Sequence, residues 1–245
     1  MNKKIVVTGS TGRFGLVLKK ICKKKNFFFP SKKILDIMDE KKIEKYLDRI
    51  KPKILIHLAG LSRPMQIHEQ NIILSINLNI IGTANIVKAC QKRNIKLIYF
   101  STNYVYPGVK GNYSEDDPVN PVNNYAWSKL GGESSVKLYK NSLILRVCMT
   151  EKPFVHKKAY GNVKTSFAYH EDIAQNLLKL LNEKGVINLG GKAMYIYDFA
   201  KQDNKNIKKI YLDKKKQNII PINSSLNLKK FKSLTKNKIP KIKNV

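Results

Sequence analysis

Short apolar runs alternate with longer stretches of helical periodicity through the first 150 residues. The apolar runs predict strands at 4–8, 27–30, 54–58, 96–101 and 142–147. Between them, apolar residues spaced three and four apart predict helices at 14–23, 41–49, 72–93 and 125–139. This alternation is typical of a parallel α/β sheet covered by helices.

The final third of the chain continues the pattern less regularly. A helix is predicted at 170–182 and a strand at 185–189. After Asp198 the chain is rich in lysine and asparagine, which predicts a small and partly irregular subdomain.

The chain carries a formal charge of +30, from 47 Lys and Arg against 17 Asp and Glu. Clustered cations bind nucleic acid, but these lysines are spread along the chain, with local runs at 23–25 and 214–216. We therefore expect no nucleic-acid partner. A positive surface would still attract an anionic small substrate.

Cysteine content and hydropathy give expectations about the compartment. Cys22, Cys90 and Cys148 lie far apart and form no metal-ligand spacing, so we expect buried thiols in a reducing cytosol and no metal. The short apolar stretch near Met1 predicts no signal peptide, and no later run approaches the length of a membrane span. A cytoplasmic protein without membrane contact is expected.

Three glycines, Gly9, Gly12 and Gly15, follow the first predicted strand and open the first helix. Glycine lets a backbone approach a pyrophosphate, and the helix N-terminus offers unpaired N–H groups to its charge. The spacing predicts a dinucleotide site of the Rossmann type, with a merely structural turn as the alternative.

Tyr125 and Lys129 lie four residues apart, on one face of a predicted helix. A neighbouring ammonium can lower the pKa of a phenol and make it a proton donor near neutral pH, although a plain surface pair has the same spacing. The strand at 96–101 ends in Ser101 and Thr102, at the sheet edge where such folds bind ligands.

Together these segments resemble the extended short-chain dehydrogenase/reductases, and most closely the dTDP-4-dehydrorhamnose reductase group. The similarity spans nearly the whole chain and includes the glycine loop and the segments 35–39, 57–60, 79–85, 101–108, 113–117, 125–133, 185–191 and 224–227.

The resemblance implies a doubly wound parallel sheet forming an NAD(P)-binding Rossmann domain over 1–150. It implies a small substrate-binding region over 151–245, in which 168–190 packs back on the Rossmann domain. The implied cofactor residues are Gly9, Thr11, Gly12, Arg13, Phe14, Gly15, Ser31, Lys32, Asp36, Ile37, Leu58, Ala59, Gly60, Asn79, Tyr125 and Lys129.

The resemblance also implies catalytic roles for Thr102, Tyr125 and Lys129, and substrate contacts from Ser101, Thr102, Asn103 and Tyr125. Tyr125 would donate a proton, Lys129 would hold the nicotinamide ribose, and Thr102 would bind the carbonyl oxygen. Asn103 departs from the aspartate usual in the group, and the segment between Arg146 and Asp172 is shorter than usual.

The expected cofactor is NADP, with NAD possible. No acid follows the strand at 27–30, whereas Ser31, Lys32 and Arg13 could pair with a 2′-phosphate. Asp36 has two equally weighted interpretations, a hydrogen bond to the adenine amine or a capping role.

We therefore expect reduction of a nucleotide-linked 4-keto-6-deoxysugar for surface polysaccharide synthesis, by a possible homodimer. Two alternatives stay open, a nucleotide-sugar epimerase or dehydratase and a non-catalytic NADP-binding subunit like the regulatory β subunit of methionine adenosyltransferase.

Four histidines and the single tryptophan are given other roles. His57 is expected to line the cofactor cleft, while His68 and His156 are expected on the surface. His170 is expected to open a late helix, and Trp127 to pack internally.

Overall fold

A computed structural model describes residues 3–213 and 220–236. The strands are β1 Ile5–Thr8, β2 Phe27–Phe28, β3 Ile54–His57, β4 Lys96–Thr102, β5 Ser142–Val147, β6 Met149–Thr150, β7 Lys158–Tyr160, β8 Lys164–Thr165, β9 Ala168–Tyr169, β10 Gly185–Leu189, β11 Met194–Tyr195 and β12 Lys208–Ile210. The helices are α1 Arg13–Ile21, α2 Glu40–Ile50, α3 Ile67–Gln70, α4 Ile72–Ser75, α5 Gly82–Lys92, α6 Asn124–Lys137, α7 His170–Lys179, α8 Ile196–Lys201 and α9 Lys229–Thr235.

Six parallel strands form the main sheet in the order β10-β5-β4-β3-β1-β2. The order reverses beside β1, which opens a crevice at the carboxyl ends of β1 and β3. Side chains of β1 and β3 are buried on both faces of the sheet, as expected when helices cover both.

Alternate residues of each strand supply two apolar clusters. Val7 and Ile56 pack with α1 and α7 on one face, while Val6 and Leu55 pack with α2, α5 and α6 on the other. The fold predicted from the sequence, a doubly wound parallel α/β sheet, is confirmed.

The predicted helix at 72–93 is a continuous helical run, in which a π-helical turn at Ile76–Ile81 joins α4 to α5. By length and mean hydropathy, 1.5, the segment Ile72–Lys92 could cross a membrane, contrary to the sequence expectation. Here α5 packs against β3, β4 and α6, and a buried core helix meets the same criterion.

Beyond β5 the chain forms short strand pairs that no periodicity predicted. β6 pairs with β9 and β7 with β12 in parallel, and β8 pairs with β11 antiparallel. With α8 they enclose a small apolar cluster that includes Phe154 and Phe199. Because β10 returns to the main sheet beside β5, the division at residue 150 stays a prediction. The lysine run at 214–216 lies outside the described residues.

Residues 221–228, which we call the return segment, run back to the end of β4. Asn223 N–H donates to Gly108 O, Tyr113 N–H donates to Ser225 O, and Asn227 N–H donates to Tyr113 O. These hydrogen bonds hold the return segment against the chain that follows β4.

Candidate active site

The glycine loop joins β1 to α1 with the geometry that a close ligand approach requires. Gly9 has φ +68°, and a Cβ there would lie 2.5 Å from Ala59 N. A Cβ at Gly15 would lie 2.4 Å from Gly9 O, so the helix can start against the loop only with glycine. The cap residue, Gly12, has no side chain to fill the helix N-terminus, which leaves its N–H groups open to an anion.

The loop after β3 is held in place by hydrogen bonds from Asn79. Its Nδ2 donates to Leu61 O at 2.9 Å and to Ser128 Oγ at 2.8 Å, and its Oδ1 accepts from Leu61 N–H at 2.7 Å. Asn79 thus ties Leu61 to helix α6. Its side chain is fully engaged by the protein, and its predicted cofactor contact stays a prediction.

The end of β4 and the turn after it place three polar residues, Ser101, Thr102 and Asn103, at the crevice. The side chains of Ser101 and Asn103 are bonded within the protein. Ser101 Oγ donates to Glu133 Oε2 at 2.6 Å. Asn103 Nδ2 donates to Thr165 Oγ1, Ser224 O and Ser224 Oγ at 2.9–3.2 Å. The amide that replaces the family's aspartate therefore anchors the return segment.

Helix α6 presents Tyr125 and Lys129 to the same crevice. The helix starts where Asn123 Oδ1 accepts the N–H of Ala126. The ring of Tyr125 packs edge-on against His68, at 5.1 Å between centroids, and against Tyr104 at 6.5 Å. These contacts fix the ring, so the hydroxyl is presented in one orientation.

Burial dominates the protonation of both groups. It raises the pKa of Tyr125, while a hydrogen bond with Thr102 and the charges of Arg63 and Arg13 oppose the rise. Burial lowers the pKa of Lys129 to about 7, opposed by Glu133. The cationic influence on the phenol thus comes from two arginines, where the sequence predicted Lys129.

The crevice is a single cleft of about 1420 Å³ in the described part of the chain. It gathers predicted residues from four segments, namely Gly9, Gly12, Arg13, Phe14, Gly15, Leu58, Gly60, Ser101, Thr102, Asn103, Tyr125 and Lys129. The predicted residues that do not line it, among those described, are Thr11, Ser31, Lys32, Asp36, Ile37, Ala59 and Asn79.

Around the end of β2, side chains serve the local fold. Asp36 Oδ1 accepts the N–H of Met38 at 3.0 Å, a contact of the kind that a capping role requires. The other carboxylate oxygen of Asp36 lies 4.0 Å from Lys32 Nζ. Ile37 is buried in the core. Ser10 Oγ donates to Pro30 O at 2.7 Å and ties the glycine loop to this region.

Arg13 is paired with a carboxylate in the cleft. Its Nη1 donates to Glu151 Oε1 at 2.8 Å, and Arg63 donates to the same oxygen at 3.2 Å. Arg63 and Glu151 were not predicted, because each is a lone charge in a loop with partners far away in sequence. The predicted contact of Arg13 with a 2′-phosphate stays a prediction.

The expectations for the histidines have different outcomes. His57 is buried between Thr8 and Thr83, at 2.8 and 3.2 Å, and burial lowers its pKa to about 3. His68, expected on the surface, is fully buried against Tyr125 and bonded to Ser75 Oγ at 2.8 Å. His156 is exposed, as expected.

Two expectations about helices have opposite outcomes. His170 opens α7, as predicted from the sequence. Trp127 is half exposed, not internally packed. Among the described residues no group of three or more His, Cys, Asp or Glu could hold a metal ion.

A doubly wound sheet with its cleft at the carboxyl ends of the strands defines a Rossmann-type α/β protein. The comparison with protein families is specific. The RmlD substrate binding domain model matches residues 3–155, and the chain belongs to this family, which confirms the resemblance to the dTDP-4-dehydrorhamnose reductase group.

Curated relatives match at modest identity. The β subunit of methionine adenosyltransferase 2 from Xenopus laevis is 29% identical over 156 residues, covering 60% of this chain and 46% of the relative. A dTDP-D-glucose 4,6-dehydratase from Dictyostelium discoideum is 29% identical over 212 residues, covering 78% and 45%. The chain spans just under half the length of these relatives.

Solved structures share the fold over nearly the whole chain. A dTDP-4-dehydrorhamnose reductase from Bacillus anthracis in complex with NADP is 22% identical with a TM-score of 0.84, covering 95% of this chain and 92% of that one. A reductase of the same name from Clostridium acetobutylicum is 24% identical with a TM-score of 0.82, covering 95% and 92%.

Proposed function

We propose that the chain is an NAD(P)H-dependent reductase of a nucleotide-linked 4-keto-6-deoxysugar. The observation that carries this proposal is the convergence of Thr102, Tyr125 and Lys129 on the cleft that contains Gly9 and Gly12. Tyr125 offers a proton donor, Thr102 a hydroxyl and Lys129 an amine, and all three lie beside a helix N-terminus that is open to a phosphate. These are the groups that carbonyl reduction by a dinucleotide requires.

The residues of the glycine loop fit a dinucleotide, because no side chain fills the helix N-terminus at Gly12. When bound, the dinucleotide supplies the hydride. Tyr125 donates its phenolic proton to the oxygen of the substrate carbonyl, and Thr102 hydrogen-bonds that oxygen. Lys129 holds the ribose beside them.

The proposed cofactor is NADP, with NAD possible. Support comes from the lack of any acid directly after β2, where Ser31 and exposed Lys32 follow instead. An acid there would repel a 2′-phosphate. Comparing kcat/KM for NADPH and NADH tests this choice, and equal values would contradict it.

A dehydratase needs a further acid and base to eliminate water. The carboxylates that line the described cleft are Glu69 and Glu151. Glu69 accepts hydrogen bonds from the backbone and side chain of Asn124 at 3.0 and 2.6 Å, and Glu151 is held by two arginines. This arrangement favours reduction over dehydration, although the Dictyostelium relative is named a dehydratase.

A second candidate function is non-catalytic cofactor binding in a regulatory subunit. The matches to methionine adenosyltransferase β subunits favour it. The convergence of Thr102, Tyr125 and Lys129 favours the enzyme, because binding alone needs no proton donor.

One assay separates these functions. The full chain is incubated with NADPH and a panel of 4-keto-6-deoxy nucleotide sugars, and loss of absorbance at the nicotinamide band is followed. The reductase proposal predicts consumption that depends on one sugar. NAD retained through dialysis would favour an epimerase, and tight NADPH binding without turnover on any sugar would favour the regulatory role.

We also propose a cytoplasmic location and a homodimer. All three cysteines are free and buried, as suits a reducing compartment. Adjacent helices α4 and α6 expose Ile72, Ile73 and Trp127, which supports association of two copies. Light scattering on the purified chain tests the dimer, and a monomer mass would contradict it.

A further inference from the structure

Three charged side chains from separate segments meet in the cleft. Arg13 opens α1, Arg63 lies in the loop after β3, and Glu151 follows β6. Arg13 Nη1 donates to Glu151 Oε1 at 2.8 Å, and Arg63 Nη1 donates to Oε1 and Oε2 at 3.2 and 3.4 Å. One carboxylate therefore holds two guanidinium groups that are 50 residues apart in the chain.

The carboxylate is covered, while the guanidinium groups are open. The side chain of Glu151 is 17% exposed, against 46% for Arg13 and 37% for Arg63. Each arginine uses Nη1 for Glu151 and has no other hydrogen bond in the described part of the chain. The remaining N–H groups of both arginines are thus available to a ligand in the cleft.

The cluster keeps a net positive charge, because two guanidinium charges face one carboxylate. Burial alone would raise the pKa of Glu151, but Arg63 and Arg13 bring it below its ordinary value. Glu151 therefore stays ionised at neutral pH. It orders both arginines without neutralising them.

We propose that Arg13 and Arg63 bind the diphosphate group of a nucleotide ligand, and that Glu151 is the positioning residue that holds both guanidinium groups in place. A diphosphate carries oxygens on two phosphorus atoms, so each guanidinium can engage a separate phosphate. The inference rests on the proposed function only in taking a nucleotide as the ligand of the cleft. Two ligands share this chemistry, the dinucleotide cofactor and the nucleotide-linked sugar.

Binding measurements on the full chain test the site without requiring turnover. Affinities for UDP, dTDP and NADPH are measured by calorimetry for the unmodified chain, Arg63→Ala, Glu151→Gln and the double variant. The control is Arg49→Ala, which removes an exposed guanidinium that packs over Tyr46 on α2, away from the cleft. A melting temperature for each variant checks that the fold is kept.

Arg63→Ala should weaken binding by about tenfold or more, the scale for losing a charge-assisted hydrogen bond. Glu151→Gln should weaken it by a smaller factor, and by less still in the Arg63→Ala background, where Glu151 can act only through Arg13. A residue that merely supports the fold would add its full effect there. Arg49→Ala should bind as the unmodified chain does.

The ligands separate the two sources of the diphosphate. Weaker UDP or dTDP binding alone assigns the site to the substrate, and weaker NADPH binding alone assigns it to the cofactor. Unchanged affinity for all three ligands in Arg63→Ala would overturn the proposal. Tighter binding in Glu151→Gln would overturn the positioning role, because Glu151 would then compete with the ligand. A failed reductase assay would leave these measurements valid.

Discussion

Tyr125 is held by its ring, so the hydroxyl can be removed without disturbing the packing. His68 and Tyr104 contact the ring from two sides. We predict that Tyr125→Phe lowers kcat by about a hundredfold or more, the scale for losing a general acid, with an unchanged melting temperature. Steady-state kinetics with the best sugar of the panel measures the loss.

The matched control is Tyr211→Phe, which removes a hydroxyl from an exposed ring. Its turnover should equal that of the unmodified chain. If Tyr125→Phe turned over at nearly the unmodified rate, Tyr125 would not be the proton donor.

Lys129 makes the stability of the ligand-free chain depend on pH. Burial lowers its pKa from 10.5 to about 7, so between these values the unfolded chain binds more protons than the folded chain. The free energy of unfolding should therefore rise as pH rises across this window. The stability gained in this way is lost again as pH falls through about 7.

Urea unfolding of the unmodified chain and of Lys129→Met, at several pH values from about 6.5 to about 10, measures this contribution. The difference in unfolding free energy between them should shift in favour of the unmodified chain as pH rises. A difference independent of pH would show that Lys129 keeps its ordinary pKa in the folded chain.

The site residues that were not predicted from the sequence were missed for one physical reason, the lack of a local pattern. Tyr125, Lys129 and the glycines lie within short motifs, where spacing along one element indicates a common function. Arg63 and Glu151 are 88 residues apart, and no local pattern relates them. His68 is buried, but it lies in a helix of four residues, which is too short to show periodicity in the sequence.

Helix α6 depends on a small residue for its position. A Cβ at Gly132 would lie 2.4 Å from Asn79 O and 2.6 Å from the Tyr99 hydroxyl. We predict that Gly132→Ala pushes α6 from the sheet, lowers the melting temperature by several degrees and reduces kcat, because Tyr125 and Lys129 move with the helix.

Gly131→Ala is the matched control for this prediction. Its Cβ would meet the end of the Ile80 side chain at 2.7 Å, which can move aside. Gly131→Ala should therefore stay closer to the unmodified chain in both measurements. Equal effects of the two variants would show that the contact with Asn79 does not set the helix position.

Elements with long periodic patterns were predicted to within a few residues. β5 and β10 have the predicted bounds, and β5 is buried along its whole length. The strands β6–β9 have two or three residues each. Strands this short are defined by their partners, and the sequence alone carries no pattern for them.

At the scale of the whole molecule, the +30 charge should influence how fast an anionic substrate arrives. We predict that kcat/KM for a nucleotide sugar falls severalfold as ionic strength rises from about 0.02 M to about 0.3 M, because salt screens the long-range attraction. The value of kcat should change less, since bound groups are screened less. Steady-state kinetics at constant pH measures both.

An uncharged viscogen at matched viscosity is the control for slower diffusion. If kcat/KM stayed constant across the salt series, the lysines would have no part in substrate capture.

Because the return segment lies late in the chain, the site can be completed only late in translation. Asn103 takes its partner from Ser224, 121 residues further along the chain. A polypeptide emerging from the ribosome can assemble the glycine loop and the first strands early, since domains form from the N-terminal side. The end of β4 stays without its Ser224 partner until that residue has been synthesised. Release of the nascent chain before Ser224 should therefore yield a fragment with a dinucleotide loop and an unfinished cleft.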